Sequence, residues 1–455
     1  MAASVDAVST TERIYSCLVT RSPEAEARLP EQVRRDVPAN GLRLVGANTL
    51  QSSGDQIVNA STVLPWLFAA LGVPPALTGL LKPIRESLSM LPQAFLTPLV
   101  LRTRRRKRVF ALGALVQAGS VAAMAATAAL GTGLAAGVLI LAALAVFSLG
   151  RCLCSISSKD VQGRVVPPGE RGQITGLATT ASGLVAITLG LGIRGLGGGS
   201  LDAGALAGLL TVGAALWVAV AGVSLTLREP AEDPEDPEEG GKEADDDGGD
   251  DGPLARRSWA LLREDRDFRH FVTVRSLLLV SSLSPPFIVM LALDAGTDAL
   301  AGLGGFVIAS GVASLVGGRL FGRFADRSSR LLMAVTAAIA SAVIVVVVVL
   351  AALPAFRGGS GAGGVLLVSA YFLLTLAHTG VRVGRKTYLM DMASGDTRTV
   401  YTAVSNTAMG VILLVVGAIS AALAAASATW ALLLLAALGA AGVVAGLRLP
   451  EVSRG

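Results

Sequence analysis

Residues 102–130 read RTRRRKRVFALGALVQAGSVAAMAATAAL. Six arginines and lysines crowd into residues 102–108, whereas residues 109–130 contain no charged side chain. An apolar run of about 20 residues is the length that an α-helix needs to cross the hydrocarbon core of a bilayer. Basic residues gather in the loops on the cytoplasmic side of such helices. This stretch therefore predicts a basic cytoplasmic loop followed by a transmembrane helix.

The same alternation continues along the chain. Only 16% of the 455 residues are charged, whereas a soluble protein would carry about 25%. The sequence therefore predicts an all-α polytopic membrane protein with twelve transmembrane helices. These helices, numbered spans 1 to 12, are predicted at 43–70, 76–100, 109–130, 135–157, 172–194, 203–227, 271–293, 299–322, 330–352, 364–387, 400–425 and 428–447.

The charges of the loops predict the orientation of the chain. The loops after spans 2, 4, 8 and 10 are rich in arginine and lysine, whereas the loops on the other side hold little charge. By the positive-inside rule, the basic loops and both termini are cytoplasmic, in a multi-pass protein of the cell (cytoplasmic) membrane. Because these residues set the topology, the formal net charge of +5 indicates the lipid bilayer as a partner and no nucleic acid.

Two polar segments flank the first six spans. Residues 1–40 show no signal peptide and are expected to form one or two short cytoplasmic helices, which begin at Thr10 and at Ser22-Pro23. Residues 229–251 carry thirteen acidic side chains and one lysine, so they have nothing to bury and are expected to be disordered. A soluble tether is the favoured interpretation of this acidic segment, and a regulatory or cation-binding tail is the alternative.

The two halves of the chain resemble each other. Residues 76–80 (ALTGL) open span 2 as residues 299–303 (ALAGL) open span 8, and the series from Lys159 to Gly183 matches that from Lys386 to Gly410. Parallel repeats of this kind place a substrate site near the bilayer midplane, between the halves. The predicted segments are an N-terminal segment (1–40), a six-helix bundle (41–227), an acidic linker (228–258) and a second six-helix bundle (259–455), preceded by a short amphipathic helix at 258–270.

A motif after span 8 resembles that of a known family. Residues 318–330, GRLFGRFADRSSR, resemble the cytoplasmic loop motif of the major facilitator superfamily. A poorly characterised bacterial branch of its permeases is similar at LPW (64–66), PIRES (83–87) and HTGVRVGRK (378–386). The resemblance covers nearly the whole chain beyond residue 40. It implies two six-helix bundles that form a secondary transporter, with spans 1, 4, 7 and 10 around the cavity.

The resemblance also implies a cytoplasmic gating motif. Charge contacts between helices in this motif would break as the cavity opens inward. The sequence departs from the family in two places: Thr103 stands where the loop after span 2 would carry an acid, and span 5 lacks the Gly-Pro motif of drug–proton antiporters. The first departure removes any acidic latch from that loop, and the second counts against multidrug antiport. The residues assigned to the gating motif are Gly322, Asp326, Arg327 and Arg330.

Span 1 is unusually polar for a transmembrane helix. Gln51, Asp55 and Asn59 are spaced to fall on one helix face, and with Asn48 they are predicted to line a polar cavity. A charge in hydrocarbon costs at least about 2.5–3.5 kcal/mol, so Asp55 is expected to face the interior of the bundle. One hypothesis is that its carboxylate binds a proton or a cationic group. The alternative is an internal ion pair, for instance with Arg151, that only fixes the packing.

Span 2 carries three charges near its start. Arg85 and Glu86 are adjacent, so their side chains point about 100° apart and need different partners. Glu86 is the second candidate for proton coupling, and a structural cluster with Lys82 is the alternative of equal weight. Arg151 in span 4 is a candidate for an anionic substrate group, although pairing with Asp55 is the favoured interpretation.

Span 10 carries His378 and Arg382 within its apolar run. A histidine there would titrate in the physiological range, although a hydrogen-bonded core residue is the favoured interpretation. Arg382 belongs to the charges predicted to serve substrate binding or proton coupling. Asn406 in span 11 is expected to add a polar contact to the cavity.

Composition narrows the function further. Three Cys and two His supply no metal-ligand set, no cofactor is predicted, and the sequence shows no catalytic constellation for an intramembrane enzyme. The leading hypothesis is a secondary active transporter that moves a small solute by alternating access, with proton coupling through Asp55 or Glu86. The alternative is a non-transporting membrane sensor or scaffold that acts through the acidic linker or the N-terminal segment.

Overall fold

The computed structural model describes residues 10–21, 23–27, 29–101, 103–167, 170–197, 201–229, 263–296, 302–353, 356, 361–392 and 397–452. Within these ranges the chain is helical apart from its connecting turns, and no strand is present. Nine helices of this part of the chain are long and apolar enough to cross a membrane. The prediction of an all-α membrane protein is confirmed, whereas spans 1, 2 and 7 are each divided into shorter helices.

The first half of the chain begins with two short helices that start at Thr10 and Pro23, as predicted. The helices of this half are α1 (Thr10–Leu18), α2 (Pro23–Ala27), α3 (Glu31–Ile57), α4 (Val63–Ala70), α5 (Pro75–Met90), α6 (Gln93–Leu101), α7 (Arg106–Leu130), α8 (Gly133–Val165), α9 (Arg171–Gly197) and α10 (Ala203–Thr226).

The second half repeats the long helices after the acidic linker, and residues 230–262 lie outside the described ranges. Its helices are α11 (Arg266–Leu277), α12 (Val280–Leu283), α13 (Pro285–Asp294), α14 (Leu303–Arg327), α15 (Ser329–Ala351), α16 (Gly361–Met392), α17 (Thr397–Ala426) and α18 (Ala428–Leu447). Within α14, the apolar stretch that the structure describes comprises residues 303–317.

Span 1 is not the single helix that the sequence predicted. It consists of α3 and α4, separated by residues 58–62. The Asn59 side-chain oxygen accepts the backbone N–H of Ser61 at 2.8 Å, and the Asn59 carbonyl accepts the N–H of Leu64 at 3.0 Å. Short polar side chains compete in this way for backbone groups and favour turns over helix. Asn59 therefore lies beyond the end of α3 and does not share a helix face with Gln51 and Asp55.

Prolines interrupt two further spans. Span 2 is divided into α5 and α6 at Leu91 and Pro92, and span 7 consists of α11, α12 and α13, with α13 beginning at Pro285 directly after Ser284. A proline inside a helix removes one backbone hydrogen bond and restricts the residue before it. The apolar run continues across each break, so hydrophobicity alone predicted one helix.

The predicted amphipathic helix at 258–270 is described from residue 263 onward, where residues 263–264 and 266–270 are helical. Residues 258–262 lie outside the described ranges. Asp265 is not helical, and its carboxylate accepts the N–H of Phe268 at 2.9 Å, so it caps a new helix that starts at Arg266. Residues 266–270 therefore belong to the first helix of span 7, because an aspartate at this position favours a helix start.

The halves pack against each other through two pairs of helices, α5 with α17 and α9 with α14. The predicted repeat places span 2 on span 8 and span 5 on span 11. It therefore relates α5 to α14 and α9 to α17, so the two contacts between the halves are equivalent under the repeat. A Cβ at Gly311 would lie 2.9 Å from the Gly183 carbonyl oxygen, so small residues let α9 and α14 approach closely.

We call the side at which α6, α8, α14 and α16 end the basic side, because the basic loops lie there. At the opposite side, α4 packs against α13, and the Trp66 ring of the first half lies 6.3 Å from the Phe306 ring of the second half. Phe306 in turn meets Tyr371 edge-on at 5.2 Å. All three aromatic side chains are buried, so apolar contacts close the opposite side between the halves.

The N-terminal helices dock on the basic side. Tyr15 of α1 is buried, and its hydroxyl donates to the Glu170 carboxylate before α9 at 2.6 Å. Gln173 exchanges two hydrogen bonds with the backbone of Thr20, at 2.8 and 3.0 Å. Burial, together with the acceptor Glu170, raises the pKa of Tyr15 above its ordinary value. The segment is therefore attached to the start of α9.

Candidate functional site

Asp55 is the centre of an ion cluster that joins three helices. Arg85 of α5 donates to the Asp55 carboxylate at 2.8 Å, and Arg151 of α8 donates to both of its oxygens. The Asp55 side chain is 18% exposed and that of Arg85 is 9% exposed. Asp55 lies in the last turn of α3, where the helix dipole disfavours a carboxylate. The two arginines supply the compensating charge and fix α3, α5 and α8 together.

Aromatic packing positions Arg85. Its guanidinium lies 6.0 Å from the centre of the Phe147 ring, a cation–π distance. Phe147 meets the Trp217 ring edge-on at 5.6 Å, and Trp217 lies so close to α3 that a Cβ at Gly54 would be 2.8 Å from its indole nitrogen. The glycine beside Asp55 therefore allows α10 to support the cluster.

Glu86 has a different partner from its neighbour Arg85, as adjacent positions on a helix require. Lys82 lies one turn earlier on α5, with its Nζ 3.3 Å from a Glu86 carboxylate oxygen. The Glu86 side chain is 29% exposed and lies within electrostatic range of Arg151 and His378. Glu86 therefore faces the second half of the molecule. We call Asp55, Lys82, Arg85, Glu86 and Arg151 the first wall.

The facing surface of the second half is cationic. His378 Nδ1 lies 3.5 Å from the Ser281 hydroxyl. Arg382 lies deep in the bundle within electrostatic range of Glu86 and Arg151, yet its side chain is exposed. Arg385 is half-buried and lies near Arg382. We call Arg275, His378, Arg382 and Arg385 the second wall, and the space between the two walls the chamber.

Arg275 belongs to the second wall, and the sequence reasoning missed it. The Arg275 side chain is buried in α11 and donates to the Ser405 hydroxyl at 2.7 Å and to the Asn406 side-chain oxygen at 2.8 Å. The signal was present, because a charge inside predicted span 7 marks a functional residue by default. Asn406 also lies across the halves from Gln93, with their amides 3.5 Å apart.

The remaining predicted lining residues divide into two groups. Asn48 and Gln51 are half-buried on α3, and Gln51 is one helical turn before Asp55. Asn59 is bound to the turn after α3, as described above. Sequence spacing therefore placed Gln51 beside Asp55, while the break in span 1 removed Asn59 from that face.

The predicted gating motif is only partly described. The surroundings of Gly322 and the side chain of Asp326 lie outside the described part of the structure, and Arg327 is exposed. Arg330 donates to the Leu449 carbonyl at 2.9 Å, and its Nε lies 3.5 Å from the Glu451 carboxylate. The partners shown for Arg330 thus belong to the C-terminal segment of its own half.

The structure also shows where the potential metal ligands and the cysteines lie. In the part of the chain that the structure describes, no three side chains of His, Cys, Asp or Glu gather as metal ligands. Cys17, Cys152 and Cys154 are free thiols. The charged groups of the chamber are instead suited to hold charged solutes or protons.

The sequence matches the model of one protein family. The Major Facilitator Superfamily model matches residues 46–408, well over half of the chain. The chain belongs to the Major Facilitator Superfamily. It is therefore a multi-pass membrane transporter. A search of curated proteins gives no match.

Solved structures of the superfamily share the fold. The nucleoside transporter NupG is 15% identical, covering 90% of this chain and 98% of its own, with a TM-score of 0.62. A POT family transporter in complex with 5-aminolevulinic acid is 10% identical, covering 89% and 94%, with a TM-score of 0.67. A D-xylose-proton symporter is 12% identical, covering 92% and 97%, with a TM-score of 0.63. At these identities the likeness concerns the fold alone.

Proposed function

We propose that the protein is a secondary active transporter of the cytoplasmic membrane that moves a small solute by alternating access. The observation that carries this proposal is the chamber between the halves. Its ionisable groups come from α3, α5, α8, α11 and α16, and those of α8 and α16 keep contact with solvent while they lie deep in the bundle. Arg151 is 32% exposed and Arg382 is exposed. Charges at this depth are retained where they line a watery path.

We also propose that this structure is the state open toward the basic side. The aromatic contact of Trp66, Phe306 and Tyr371 closes the opposite side, whereas Lys159 of α8 and Lys386 of α16 are exposed near the basic side. With the basic loops and both termini in the cytoplasm, this state faces inward. Transport then requires the aromatic contact to open and the ends of α8 and α16 to approach.

We place proton coupling at Glu86 rather than at Asp55. Arginines bind both oxygens of Asp55, so protonation of Asp55 would leave two guanidinium groups without a counter-ion. Among the described residues, the ion-pair partner of Glu86 is Lys82 at 3.3 Å, and Glu86 faces the chamber. Protonation of Glu86 therefore breaks a single ion pair within one helix. Because Glu86 faces the chamber, its change of charge would be felt by a solute bound there.

The test separates coupling from transport. The full-length protein is reconstituted in liposomes, a solute that raises its melting temperature is chosen, and both pH-driven accumulation and solute exchange are measured. Glu86→Gln is expected to abolish accumulation and to retain exchange, because exchange needs no net proton transfer. Glu24→Gln, at an exposed position on α2, is the control and should keep both.

Two outcomes contradict different parts of the proposal. Unchanged accumulation in Glu86→Gln would remove Glu86 from the coupling role. The absence of both accumulation and exchange for every stabilising solute would contradict the transport function itself.

A further inference from the structure

The chamber carries a large excess of positive charge. Its two carboxylates, Asp55 and Glu86, face six cationic side chains on the two walls. The first wall uses both carboxylates in its own ion pairs. The six cationic residues are Lys82, Arg85, Arg151, Arg275, Arg382 and Arg385.

The second wall forms no ion pair among the described residues. The acid within electrostatic range of Arg382 and Arg385 is Glu86 of the first wall, which already pairs with Lys82. Arg275 is 6% exposed, and its partners are the neutral oxygens of Ser405 and Asn406. Arg382 and Arg385 form no ion pair with any carboxylate that the structure describes. A buried ion is costly unless it is paired and hydrogen-bonded. The second wall is therefore an incomplete electrostatic arrangement when the chamber holds only water.

The cations of the second wall also repel each other. Arg385 lies within electrostatic range of both Arg382 and Arg275, and Lys386, one residue further along α16, lies within range of all three. Like charges at such distances disfavour the compact arrangement. A negatively charged group that enters the chamber would relieve this repulsion, whereas a cationic solute would increase it.

Resting on the transport function proposed above, we infer that the solute is an organic anion whose carboxylate or phosphate group binds Arg382 and Arg385. The planar guanidinium donates two parallel hydrogen bonds to either oxyanion. Arg382 is exposed in the chamber, so its donors are available to an entering group. The first wall, with its charges already paired, would contact the remainder of the solute.

Matched pairs of probes test the charge requirement. The melting temperature of the purified full-length protein is measured at constant ionic strength with succinate against succinamide, glycerol 3-phosphate against glycerol, and inorganic phosphate. We expect at least one anionic probe to raise the melting temperature, and the neutral member of each pair to leave it unchanged. Comparison of the two pairs distinguishes a carboxylate site from a phosphate site.

Variants locate the site. Arg382→Gln and Arg385→Gln should each raise the dissociation constant of the stabilising anion at least about tenfold, which corresponds to 1.4 kcal/mol. Arg382→Lys should retain part of the binding, because the charge remains while the fork geometry is lost. Arg448→Gln, at an exposed arginine after α18, is the control and should bind as the unaltered protein does.

The results that would overturn the anion inference differ from those that would contradict the transport function. The inference is overturned if no anionic probe stabilises the protein, if neutral probes stabilise it equally, or if Arg382→Gln and Arg385→Gln bind the anion as the control does. Gradient-driven uptake of a neutral or cationic solute would overturn the anion class and leave the transport function standing. Anion binding without any flux would contradict transport and leave the anion site standing.

Discussion

The two walls of the chamber both contain buried arginines, but these arginines have different partners. In the first wall, the charged side chains pair with each other: Asp55 binds two arginines, and Glu86 binds Lys82. In the second wall, Arg275, Arg382 and Arg385 have no carboxylate partner among the residues that the structure describes. The comparison shows that a buried charge fixes helix packing where it is paired, and is available to a ligand where it is not.

Depth in the bundle does not explain this difference. Arg151 and Arg382 face each other across the chamber within electrostatic range, and both are partly in contact with solvent. Of these two arginines, Arg151 alone has an ion-pair partner among the described residues, namely Asp55 on a neighbouring helix of its own half. The comparison therefore predicts that removal of charge has opposite effects on the stability of the two walls.

The largest expected effect follows the loss of Asp55. Asp55→Asn leaves Arg85 and Arg151 without their counter-ion, and loss of one partner from a buried ion pair is strongly destabilising, here by about 3 kcal/mol. The melting temperature of the purified protein should fall by several degrees. A matched change, Asp36→Asn, breaks the exposed pair with Arg228 and should cost less than about 1 kcal/mol.

The double variant Asp55→Asn/Arg151→Gln makes the interpretation sharper. Removal of one cation together with the acid should recover part of the lost melting temperature, because fewer buried charges remain unpaired. If Asp55→Asn melts like the Asp36→Asn control, the first wall is not a stabilising cluster and the contrast between the walls fails.

A second paired cluster tests the same rule outside the membrane. Arg21 donates to both oxygens of Glu26, at 2.8 and 2.6 Å, and to Glu12 at 2.7 Å. The hydrogen bond from Arg21 lowers the pKa of Glu26. A lowered folded pKa contributes stability that is present above the unfolded value of about 4.3 and is lost as the pH falls below it. Docking of α1 and α2 should therefore weaken in acid.

Hydrogen exchange measures this local effect. Hydrogen bonds to charged groups contribute about 1.5–3 kcal/mol, so protection of the α1 amides, corrected for intrinsic rates, should fall about tenfold between pH 6 and pH 3. Glu26→Gln should show the low protection at both pH values. Glu31→Gln, in the exposed pair with Arg35, is the control and should retain the pH dependence. Equal protection in unaltered protein at both pH values would contradict the prediction.

The sequence predicted much of the fold because length and polarity of the spans are local properties. The breaks in spans 1 and 7 were missed, although Asn59, Ser61 and Pro285 each carry a turn or proline signal, because a continuous apolar run was taken as one helix. The pairing of Asp55 with Arg151 was considered, since a buried acid needs a cation. The second partner, Arg85, depends on how α5 packs against α3, and such tertiary packing is absent from residue spacing.

The sequence indicated a site of buried charges, but the set of residues assigned to it was incomplete. Buried charges pointed to α3, α5, α8 and α16. Arg275 and Arg385 were left out of the predicted site, although both lie within predicted spans. What residue spacing could not predict is the division into a paired and an unpaired wall, because this depends on which helices become neighbours after folding.

The smallest expected effect has the opposite sign from the loss of Asp55. Arg385→Gln removes one of several repelling cations without leaving a carboxylate unpaired. The free energy of unfolding in anion-free buffer should therefore rise by less than about 1 kcal/mol, and the melting temperature should rise with it. Arg448→Gln is the control for a loss of positive charge at an exposed site. Addition of a stabilising anion should remove the advantage, since only the unaltered second wall gains binding energy. A fall in melting temperature for Arg385→Gln in anion-free buffer would mean that the cation already has a stabilising partner, and the contrast between the two walls would be wrong.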